Sequence, residues 1–148
     1  MKRLILLAIM LLPMTVMAGV PELSEMAKRY ENVDGATLMT MNKEMIGLFG
    51  GSQEAAKMLD EIVILAAESS EVATTLITEA EEVIQQTSLQ LLTSVTESGA
   101  IVNIYVNQNE SIITDLVLLV REGDETALIV ISGTINPDMI GEMVQMTM

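Results

Sequence analysis

The chain has 148 residues, half of them hydrophobic, with 21 Asp and Glu against 7 Lys and Arg and a formal net charge of −14. From Met58 onward Arg121 is the only cation against 15 acidic residues, a surface that repels phosphate backbones and anionic lipid headgroups, so nucleic-acid binding is excluded. Cysteine and histidine are both absent, which removes disulfides, thiol redox chemistry, the usual zinc sites and nucleophilic triads built on an imidazole.

The N-terminus reads as a secretory signal peptide over residues 1–18. Lys2 and Arg3 give a positive start, Leu4 to Val16 an uncharged and mostly apolar run, and Val16-Met17-Ala18 the small residues of a cleavage site before Gly19. The uncharged stretch to Val20 is at the short edge of what spans a bilayer, and Pro13 interrupts it. Cleavage between Ala18 and Gly19 is therefore expected, leaving a periplasmic or secreted protein with no stable membrane insertion. Removing Lys2 and Arg3 deepens the charge to −16 and leaves one domain, residues 19–148.

That domain has only Tyr30, Phe49 and Tyr105 as aromatics, so Leu, Ile, Val and Met carry burial. Leu23, Met26, Ala27 and Tyr30 share one face of a helix that opens at Pro21. Asn32-Val33-Asp34-Gly35 is a turn, and Thr37 to Met41 a strand. Asn42 caps a short helix that turns Met45, Ile46 and Phe49 inward, and Gly50-Gly51 ends it. Glu61 to Ala67 is apolar on both faces and hence central in its sheet.

Ser69 or Ser70 caps the longest helix, Glu71 to Gln86, with Val72, Leu76, Ala80, Val83 and Ile84 inward and Glu79, Glu81 and Glu82 facing water. Strands follow at Leu89–Val95, Ala100–Val106, Ile112–Val120 and Ala127–Ile135. They are separated by Ser98-Gly99, a polar loop Asn107–Glu110 and a turn Glu122–Glu125. Asn136-Pro137-Asp138 starts a final helix whose Met139, Ile140, Met143 and Met146 share a face. The fold class is α+β, an antiparallel or mixed sheet of about 5–6 strands with helices mainly on one face.

Few chemistries survive. Gly47-Leu48-Phe49-Gly50-Gly51 lacks the spacing and the Lys-Ser/Thr of a phosphate loop. Asp60-Glu61, Glu81-Glu82 and Asp124-Glu125 are adjacent in sequence, so their side chains diverge, and a carboxylate-dependent hydrolase would need partners from distant elements. Asn107–Glu110 and Glu122–Glu125 are oxygen-rich without the order of a calcium loop. Met139, Met143, Met146 and Met148 have the softness for Cu(I), yet the first three also have the spacing of a core face.

The segment Tyr30-Glu-Asn-Val-Asp-Gly-Ala-Thr-Leu-Met-Thr-Met-Asn-Lys-Glu-Met45 resembles the domain-of-unknown-function 4252 family of small exported proteins of Gram-negative anaerobes. The likeness continues through Leu59–Ala67, the helix from Glu71, Val102–Val106, Leu116–Gly123 and Ile129–Ile135. It implies an exported α+β domain with no assigned activity, and no functional residue is carried over. The expectation is a non-enzymatic envelope protein with no cofactor, acting as a binding or protein-interaction module. An envelope protein or a second copy would be its partner, through the sheet face that helices leave uncovered or a Met-bearing groove. A small-ligand, Ca or Cu(I) binding protein is the alternative.

Overall fold

A computed structural model describes residues 21–50 and 57–139. The elements are α1 (Pro21–Lys28), β1 (Ala36–Asn42), α2 (Lys43–Gly50), β2 (Leu59–Ala67), α3 (Ser70–Gln86), β3 (Gln90–Glu97), β4 (Ala100–Asn109), β5 (Ile112–Glu122) and β6 (Glu125–Ile135). A 3₁₀ turn at Pro137–Met139 follows. The six strands form one antiparallel sheet in the order β1-β2-β6-β5-β4-β3.

Helix α3 is set by its cap: Ser69 is extended, and its hydroxyl accepts from the Val72 N–H at 3.3 Å. Asn42 does the same for α2, accepting from the Met45 N–H at 2.9 Å. The β3–β4 turn places Ser98 and Gly99 both at positive φ, the backbone that matches hairpin twist. The β5–β6 turn uses Gly123 for the same reason, so every link in the meander from β3 to β6 is two residues long.

Two apolar layers result. On the helix face, Leu23, Met26, Ala27 and Tyr30 of the α1 segment and Ala73, Leu76, Ala80 and Ile84 of α3 close over Val63, Leu65, Val117, Leu119, Leu128 and Val130. On the second face Ile62, Ile104, Leu116, Leu118, Ile129 and Ile131 form another cluster, joined by Ile46 from α2. Helices α1 and α3 thus share one face, as expected. The strands that alternate between the two layers read as continuous apolar runs because both faces are buried.

Several expectations are corrected. Met45 is exposed rather than inward, because the Asn42 cap turns Ile46 toward β1 and β2 instead. Asn107–Glu110 is not a loop: β4 continues to Asn109, and only Glu110 and Ser111 turn. Glu79 is half-buried, drawn to Tyr30. The second sheet face is not an open apolar surface, since its central residues are buried. The leader, the Ala18–Gly19 cleavage point, Gly51, the Phe49 side chain and Ile140, Met143, Met146 and Met148 lie outside the described residues.

Candidate interaction surface at one end of the sheet

Three polar constellations stand out among the described residues. The first joins α1 to α3. Tyr30 donates its hydroxyl to Glu79 Oε1 at 3.0 Å, and Arg29 pairs with Glu79 Oε2 at 3.4 Å. Burial, helped by the Glu79 carboxylate, pushes the Tyr30 phenol up to about 12. A cavity of about 330 Å³ opens beside it, lined by Val33, Glu71, Val72 and Thr75 as well as this trio. Arg29 and Glu79 already satisfy one another there, so the trio ties two helices together.

The second runs across the helix face at the end where β1 stops and β5 begins. The register aligns Asn42, Glu61, Ser132, Asp115 and Asn107 on five consecutive strands, β1-β2-β6-β5-β4. Register shifts fall here in β2, β4 and β5. Their effect is visible in β5, where Ile113 joins the second-face core and Asp115, two residues on, lies on the helix face. Asp115 is fully buried. Its Oδ2 accepts from Thr114 Oγ1 at 2.9 Å and Asn107 Nδ2 at 3.2 Å, and its Oδ1 accepts from Ser132 Oγ at 3.4 Å. Ser88, just past α3, donates to Asn107 Oδ1 at 3.1 Å and carries the network to the helix layer.

The third occupies the opposite end. Glu97 of β3 and Glu122 of β5 both face Ala100 of β4, and Glu122 also faces Glu125 of β6. Strand spacing sets Glu97 and Glu122 about 10 Å apart across a short side chain. Val95, Val102 and Ile104 continue inward from Ala100 and, with the two glutamates, line a cavity of about 500 Å³ on the second face. Glu68 joins Glu122 and Glu125 around a neighbouring hollow of about 280 Å³. The ion pairs among the described residues, Arg29–Glu79 and Lys43–Asp60, involve none of these carboxylates.

Strand β3 borders that end and differs from every other strand. All eight of its residues are exposed. Leu91, Leu92 and Val95 are 57%, 50% and 43% exposed, Val95 on the second face opposite Val102, and Ile101 of β4, opposite Thr96, is exposed on the helix face. Its outer edge has no neighbouring strand among the described residues, so half of its backbone N–H and C=O groups face away from β4.

The acidic pairs singled out along the sequence therefore scatter. Asp60 bonds Lys43, Glu61 falls half-buried in the polar row of Asp115, Glu81 and Glu82 stay in water, Asp124 sits in the β5–β6 turn and Glu125 opens β6. No group of three or more Asp or Glu able to hold a metal ion occurs among the described residues. No helix among them is long and apolar enough to cross a membrane. Sequence reasoning missed Asp115, although a lone acid inside the apolar run Ile112–Val120 is itself a signal of a satisfied buried carboxylate. It also missed that β3, which reads as one strand among four, would have both faces bare.

A family model described as Domain of unknown function (DUF4252) matches residues 30–143. No curated protein and no solved structure matches the chain.

Proposed function

Since the chain belongs to the DUF4252 family, whose name assigns no activity, we propose from its own surfaces that it is an exported envelope protein acting as a non-catalytic protein-interaction module. Its binding element is the free edge of β3. The observation that carries this reading is the exposure of all eight β3 residues at the border of a sheet whose central strands are buried on both faces. A bare edge with apolar side chains is the surface to which another extended chain adds, main-chain hydrogen bonds giving affinity and alternate side chains giving selectivity. The signal-like leader supports a place beyond the inner membrane.

Photo-crosslinking in the native envelope tests it. A photoreactive residue in place of Leu92 should trap one reproducible protein partner, and the same residue in place of Thr78, on the exposed side of α3, should not. Equal trapping at both positions, or none at Leu92, contradicts the reading. Intact mass of the envelope form should begin at Gly19.

The cavity over Val95, Val102 and Ile104 supports a second reading, a small apolar ligand with a cationic group held by Glu97 and Glu122. Native mass spectrometry of the envelope form would show that ligand as a constant added mass.

A further inference from the structure

We propose that the segment β3 receives is basic: an extended stretch with alternating apolar or Thr side chains and a Lys or Arg placed beside Glu97, at the head of the acidic row that runs on to Glu122. This rests on β3 being the docking edge and adds the chemistry of what docks.

The strand itself sets the first half of that chemistry. Gln90 to Thr96 carries no charge and no proline, so the usual devices that keep other strands off an edge are missing. In a protein this rich in acid, a seven-residue uncharged stretch exposed along its whole length is the exception. On the second face Val95 is followed by Val102 and Ile104 on the floor of the adjoining cavity. Side chains that point to that face from an added strand would lie beside Val95 and at the mouth of the cavity.

Charge sets the second half. Glu97 closes β3, and Glu122 stands two strands away with only the Ala100 methyl between them. Arg121, the only cation from Met58 onward, precedes Glu122 in β5 and so points to the helix face, opposite Thr126. A cation arriving at the end of an added strand would meet the exposed Glu97 carboxylate across one strand spacing, with Glu122 and Glu125 further along the same row adding their negative potential, and no competing basic side chain in that row. A second copy of this chain brings the reverse: another net charge of −14 and another Glu97 at the end of its own β3. Like potentials slow encounter and disfavour that pairing, whereas a basic strand is drawn in.

The test is calorimetric titration of the purified protein with three peptides. One has eight residues of alternating Thr and Val between lysine ends, the second has glutamate ends, and the third is the lysine peptide N-methylated at every Thr and Val amide. The lysine peptide should bind about tenfold or more tightly than the glutamate one, weaken as salt rises, and lose about tenfold in the Glu97→Gln/Glu122→Gln variant. N-methylation should abolish binding, because it removes the ladder along β3. Equal binding of lysine and glutamate peptides overturns the basic partner while leaving β3 as the docking edge. Unchanged binding of the N-methylated peptide, or no binding of any, overturns both. A concentration-dependent dimer lost on Leu92→Lys would replace the basic partner with a second copy.

Discussion

The two ends of the sheet carry carboxylates in cross-strand rows of similar construction, and they put them to opposite use. At one end Asp115 is buried and accepts from Thr114, Asn107 and Ser132. At the other, Glu97, Glu122 and Glu125 stand in water, Glu122 directly opposite Glu125. Register shifts explain the first end, since they turn Asp115 off the second face and under the helix layer. Regular two-residue hairpin turns explain the second, since each leaves the first and last residues of its strands at the rim. A buried carboxylate must be satisfied from within the fold, whereas exposed ones tolerate their like charges and remain available to a partner.

Breaking the network of Asp115 should cost most. Asp115→Ala removes the acceptor of three side chains, and a loss of about 3 kcal/mol in urea unfolding is expected. Gly133→Ala strikes the same end. An added Cβ would run into the Met58 carbonyl, which already accepts from the Thr134 N–H at 2.9 Å, so about 2 kcal/mol should be lost by the same measurement.

Tyr30→Phe should cost about 1 kcal/mol, the worth of its bond to Glu79. It should also change the alkaline limb. Below pH 10 the phenol is neutral in both states and contributes no slope. Above pH 10 the unfolded chain loses the proton while the folded protein holds it to about 12, so stability falls across that window. Tyr105, pushed up by burial and by Glu81, adds a fall of the same sign. The Tyr30→Phe variant should therefore show a shallower decline between pH 10 and 12, read from thermal midpoints, and an unchanged decline would contradict the assignment.

The exposed row should barely register. Glu122→Gln is expected within about 0.5 kcal/mol of the parent, on the stabilising side because it relieves the facing Glu125. A loss as large as that of Asp115→Ala would show that the two ends do not differ as described.

Much of this architecture was legible. The i, i+3, i+4, i+7 set at Leu23, Met26, Ala27 and Tyr30 marks α1, and all four are buried. Ser69 and Asn42 announce their helices, Ser98-Gly99 its hairpin, and the apolar β2 an inner position in the sheet. The site was far less legible. Alternation puts Ile113 and Asp115 on one side of a regular strand, and only the shift in register separates them. Glu79 looks solvated beside Glu81 and Glu82 until Tyr30 arrives from a segment 49 residues earlier. That β3 rather than β4 would be the bare edge depends on strand order, which local pattern does not encode. Exposure of Leu91, Leu92 and Val95 reads in sequence as ordinary strand burial.

Residue-resolved amide hydrogen exchange, with and without the lysine-ended Thr-Val peptide, tests the central claim most directly. Alone, β3 should exchange faster than β5 and β6, and the peptide should protect alternate amides of Gln90–Glu97 while leaving β1 and the α1–α3 groove unchanged. Protection at β1, or beside Tyr30 and Glu79, or nowhere, would contradict it.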